Sequence, residues 1–218
     1  MSSSHIRSMA RGGVSILLLA TPLLADGIEA AAAVAVGPTQ RNAIPHSGDH
    51  TTALQLRVGW DQSPSQLRMD QWQVMAQSGS SETVQFVMTG LGAQRSWWTE
   101  RHGAQAALGA ELRLERYTGH SSLAGGTSPL ASAQAWMVRP WLRAQAGFRG
   151  LLIPLPSPAM EALHWLTQGG RYTHPFTRIE VAVPLWQQGG EGPRGALRQM
   201  APRWEGSVQL GMRFGGSL

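Results

Sequence analysis

From Gly103 to Tyr117 the chain reads GAQAALGAELRLERY, and apolar and polar positions alternate along it. Even positions carry Ala104, Ala106, Leu108, Ala110, Leu112 and Leu114. Odd positions carry Gln105, Ala107, Gly109, Glu111, Arg113 and Glu115. A period of two separates the faces of an extended strand and not those of a helix. One face is wholly apolar and the other small, polar or charged. A sheet in water forms this pattern with the apolar face on a core. A membrane barrel forms it with the apolar face in lipid.

The same alternation predicts strands over residues 53–60, 69–77, 82–91, 175–187 and 203–214, and over a long run at 131–153. In the first, Leu54, Leu56, Val58 and Trp60 oppose Gln55, Arg57 and Gly59. In 82–91, Val84, Phe86 and Met88 oppose Thr83, Gln85 and Thr89, and Val87 interrupts the pattern. The long run keeps its parity through Pro140, which allows one strand with an edge or bulged proline, or two strands broken there. Ser63-Pro64-Ser65 and Ser78-Gly79-Ser80-Ser81 mark turns. Residues 118–130 and 188–202 read as Gly-rich loops, and 154–174 as a loop holding a short amphipathic helix over 158–168. The expectation is an all-β fold: a closed antiparallel β-barrel of about eight strands with one short helix in a loop.

The start of the chain has a different grammar. Arg7 and Arg11 precede the apolar run Val14 to Ala25, which is too short to span a bilayer as a helix. Ala33-Val34-Ala35 fits a signal-peptidase site. This predicts a cleaved signal over 1–35, a polar lead-in over 36–52, a barrel domain over 53–214 and a short tail over 215–218.

Composition then narrows the environment. Only 14% of the 218 residues are charged, against about 25% in soluble domains. The net charge is +5 and every basic residue is arginine. These arginines are dispersed along the chain and form no patch for nucleic acid. The absence of cysteine excludes disulfides, thiolate metal sites and an acylated-cysteine anchor. His46 and His50 lack a third ligand nearby, and no motif calls for a cofactor or metal.

The polar faces carry both signs of charge: Glu111, Glu115 and Glu180 with Arg57, Arg113, Arg139, Arg143, Arg149, Arg178 and Arg213. Packed in a closed lumen, such groups form a paired network. Trp60, Trp97, Trp98, Trp136, Trp186 and Trp204 fall near strand ends, where an amphipathic ring suits the membrane interface. The stretches WMVRPWLRAQAGFRG and SVQLGMRF, the latter ending on Phe214, resemble strands of small bacterial outer-membrane β-barrel proteins. The resemblance covers about residues 50–214 and singles out no one family. It implies outer-membrane lipid and the barrel assembly machinery as partners.

The function expected from this reading is non-enzymatic: an exported outer-membrane barrel, structural or a narrow conduit for a small solute, since eight strands leave little lumen. One alternative is a lipid-modifying barrel enzyme of the deacylase kind. His120 and Ser122 have its spacing, with Glu115 or Glu111 as the orienting acid. The other is a soluble periplasmic, lipocalin-like binder with an apolar inner face.

Overall fold

The computed structural model describes residues 27–38, 50–64, 68–81, 84–98, 103–119, 133–149, 173–186 and 190–215. Eight antiparallel strands close in sequence order: β1 (Gly27–Pro38), β2 (His50–Pro64), β3 (Arg68–Ser80), β4 (Val84–Trp98), β5 (Ala104–Gly119), β6 (Gln134–Arg149), β7 (Thr173–Pro184) and β8 (Glu205–Gly215). β1 pairs with β2 on one side and β8 on the other, so no strand edge is left open. The strands run from 11 to 16 residues, and about 9–11 tilted residues suffice to cross a bilayer.

The first strand corrects the sequence reading. Gly27–Pro38 had been divided between a signal peptide and a polar lead-in, yet it closes the barrel. Cleavage after Ala35 would remove most of β1, and the described barrel begins at Gly27 rather than at Ala53. The run GIEAAAAVAV hides its alternation because alanine stands on both faces; the inward polar group is Glu29. β2 also continues through residues 61–64, read from sequence as a turn, with a register shift between Asp61 and Ser63.

Eight strands therefore arise without splitting the long run. β6 continues through Pro140, which pairs with Leu112 of β5. Its carbonyl accepts a hydrogen bond from the Leu185 N–H, so the ring nitrogen points the same way, to where β7 has ended at Pro184. The missing N–H thus falls at a local edge, where proline is tolerated.

A short helix is described in another connection. The segment 158–168 is outside the described residues. α1 occupies Gly192–Gln199, within the stretch read as a Gly/Pro loop. Pro193 stands in its first turn, where no N–H is needed, and Arg198 in its last. Leu197 is buried, and Met200 and Ala201 follow it into the barrel mouth.

Strand directions put both ends of the barrel chain, Gly27 and Gly215, at one rim, called here the terminal rim. β2, β4 and β6 end there. The opposite rim, where β1, β3, β5 and β7 end, carries α1 and is called here the helix rim.

Candidate functional site

Alternation sorts every strand into lumenal and outward residues. On β5, Gln105, Glu111, Arg113, Glu115 and Tyr117 are buried, while Leu108, Leu112 and Leu114 face out. Leu112 is 55% exposed and Arg113 0%. Outward leucines, valines and alanines continue around the wall, including Val34, Leu54, Leu142, Ile179, Val181 and Val208. Large aromatics flank this band. Trp72, Trp97 and Phe214 are exposed toward the terminal rim, with half-buried Trp60 beside Trp72. Trp136, Trp186 and Trp204 are exposed toward the helix rim. The side chain of Trp98 is outside the described set.

The lumen inverts this chemistry. Six arginines (Arg57, Arg113, Arg139, Arg143, Arg178, Arg213) and six acids (Glu29, Asp61, Glu111, Glu115, Glu180, Glu205) are buried among the described residues, and their formal charges cancel. Arg149 ends β6, but its side chain is not described. Glu29, Asp61 and Glu205 had not been selected from sequence. They fall in the predicted signal, in a predicted turn and at the start of the last predicted strand. The signal was the parity of each with the inward residues of its own strand.

The charges form three linked groups. Nearest the terminal rim, Arg178 grips Glu29 through both terminal nitrogens and donates from Nε to Gln105 (2.6 Å). Arg213 pairs with Asp61, which also accepts from the Gln71 amide at 2.9 Å. In the middle, Glu111 accepts from Arg57 (2.6 Å) and Arg113 (2.5 Å), and Arg143 lies 3.5 Å away. Arg57 and Arg143 share Glu180, at 3.2 and 3.1 Å, and Arg113 reaches Glu205 at 2.5 Å. Two inward glycines make room. A Cβ on Gly90 would meet the Glu111 carboxylate at 2.8 Å, and one on Gly109 would meet the Arg143 guanidinium at 3.0 Å.

Toward the helix rim, Glu115 accepts from Arg139 at Nε (3.0 Å) and Nη2 (2.7 Å), from the Tyr117 hydroxyl (2.8 Å) and from the Trp141 indole (2.8 Å). Two guanidinium groups lie over the Trp141 ring, Arg113 at 4.1 Å and Arg139 at 4.7 Å from its centroid. Removing charges from water is costly, and multiple short, charge-assisted bonds offset that cost.

Above this layer the lumen turns apolar. Met75, Val84, Phe86, Met88, Tyr117 and Met137 pack with Leu197, Met200 and Ala201 of the α1 segment. The Phe86 and Tyr117 rings lie 5.8 Å apart. On β4, then, the apolar residues Val84, Phe86 and Met88 face inward and Gln85 and Thr89 outward, the reverse of β5's rule. Arg139 joins the layers by donating to the Pro202 carbonyl at 3.2 Å.

This arrangement bears directly on the alternative readings. His120 and Ser122 lie outside the described residues. Their proposed acid partners do not: Glu115 and Glu111 are buried and engaged by arginines. A soluble apolar-ligand binder needs an apolar interior and a polar exterior. The described wall is the opposite except in the capped mouth. No group of three metal-ligating side chains converges among the described residues.

No family model and no curated protein matches the sequence. Among solved structures, Neisserial surface protein A is similar at 12% identity, with a TM-score of 0.49 over 87% of this chain and 96% of that one. The attachment invasion locus protein Ail of Yersinia pestis is similar at 10% identity, with a TM-score of 0.42 over 86% and 97%. The outer membrane enzyme PagL is similar at 12% identity, with a TM-score of 0.35 over 84% and 98%.

Proposed function

We propose that this protein is an exported outer-membrane β-barrel whose role is structural, with a lumen packed shut rather than a channel. One observation carries the reading. The described wall presents an apolar band between two sets of aromatics, while six arginines and six acids are turned inward and paired. In water that wall would expose far more apolar area than a soluble monomer does. In a bilayer it is the stable orientation. The narrow-conduit reading is weaker, because the mouth is filled by Leu197, Met200 and Ala201 and the middle by the ion network.

The partners follow from that location: lipid around the wall, and the barrel assembly machinery, to which the β8 strand ending near Phe214 would be presented. An export segment ending before Gly27 belongs to the same proposal. Membrane fractionation with gel mobility compared boiled and unboiled tests it. The expected result is a heat-modifiable band in the outer-membrane fraction, and in planar bilayers no steady conductance. A soluble periplasmic band would overturn the membrane reading, and stable unitary conductance would restore the conduit. N-terminal sequencing of the mature chain should place its first residue at or before Gly27.

A further inference from the structure

The described outer wall carries a shallow groove. In register across four strands stand Trp72 (β3), Ala93 (β4), Ala110 (β5) and Leu142 (β6). Two adjacent alanines between two large side chains leave an indentation, and Leu108 lines it on the terminal-rim side, level with Arg95. The groove has a volume of 440 Å³. Neighbouring strands are about 4.8 Å apart, so a floor two strands wide fits one hydrocarbon chain.

Charged residues stand at its terminal-rim end. Asp70 and Arg95 line the groove and face each other across β3 and β4. Arg95 donates from Nε (2.7 Å) and Nη2 (3.1 Å) to the Asp70 carboxylate, and Arg68 reaches the same carboxylate at 3.2 Å. The trio carries a net charge of +1. It projects outward between Trp72 and Trp97, at the level where aromatic side chains meet headgroups. The Nη1 edge of Arg95 has no partner among the described residues.

We infer that this groove holds one phospholipid of the leaflet at the terminal rim, its acyl chain over Ala93 and Ala110 and its phosphodiester on Arg95. A phosphodiester carries one negative charge and accepts hydrogen bonds from a guanidinium, so it balances the trio. A protein helix is about 10 Å across, too wide for this floor. The inference rests on the transmembrane reading, and its test separates the two.

The full-length barrel is inserted into bilayers of phosphatidylethanolamine and phosphatidylglycerol, with insertion checked by heat-modifiable mobility, then released into detergent for native mass spectrometry. The wild type should retain one phospholipid after bulk lipid is stripped. Arg95→Ala and Ala93→Leu should each lower that retention about tenfold, the effect of losing one charge-assisted contact or the chain's space. Ala32→Leu, on the outward face of β1, should leave it unchanged, as should added inorganic phosphate. Equal retention in Arg95→Ala, displacement by free phosphate, or a lipid-free dimer of inserted barrels would each overturn the lipid site alone. A barrel that never inserts would overturn both readings.

Discussion

The lumen contains two materials. Near the helix rim Phe86, Met88, Met137 and Leu197 meet through apolar contacts that have no direction. Below them Arg57, Arg113, Arg143, Glu111 and Glu180 meet through hydrogen bonds that do. Both fill the barrel, but they should respond differently to substitution. An apolar cap senses volume, and a slightly different shape can repack. An ion network senses partners, because a charge left alone in a dry interior keeps its desolvation penalty and loses its compensation. The difference also explains the division of labour. The cap accommodates a segment from outside the sheet, whereas the network ties opposite walls of the sheet together, as Arg57 on β2 does with Glu180 on β7.

The largest effect is expected from Glu111→Ala. It strips the shared acceptor from Arg57 and Arg113 and removes a negative charge beside Arg143. Urea unfolding in lipid vesicles should show a loss of about 3–5 kcal/mol. Replacing Glu111 and Arg113 together by leucine should cost less than the two single losses added, because the pair no longer strands each other. Additive losses would mean that the interior is wet enough to hydrate lone charges.

Next comes the outer wall. Leu112→Arg should cost about 2–4 kcal/mol if that position meets the bilayer midplane. Single cysteines at 112 and 113 sharpen the point, since the chain has none of its own. A lipid-soluble quencher should reach a probe at 112 and not at 113. Contact in the reverse order would put the network outside and defeat the fold.

Smaller still is Met137→Leu in the cap. A swap of similar volume there should cost under about 1.5 kcal/mol in the same unfolding assay. A loss as large as that of Glu111→Ala would erase the contrast between cap and network. Asp70→Asn, at the half-exposed surface trio, should leave the unfolding midpoint unchanged within scatter, as solvent-screened pairs contribute little.

How much of this could be read in advance depended on the element. β5, β7 and β8 alternate large apolar with polar residues, so their inward and outward faces were legible residue by residue. β1 was not, because Ala30 to Ala33 say nothing about facing and the strand adjoins an export-like apolar run. α1 was hidden by its glycines and Pro193, which mark a loop as readily as a helix start. The inward set was largely legible, but its pairings were not. Arg178 and Glu29 are separated by 149 positions, and only ring closure brings β7 and β1 to either side of β8.

By itself, then, the chain determined local things: extended backbone, a lipid-compatible face, a charged opposite face and aromatics at the strand ends. These follow from a period of two and from side-chain chemistry, which need no knowledge of distant residues. Tertiary structure alone decided which strand closes the sheet, which acid meets which arginine, and that Leu197 packs among the inward side chains of the strands. Those outcomes depend on register around a closed ring. There each pairing is set by all the others, and a charge finds its partner across the lumen instead of along the chain.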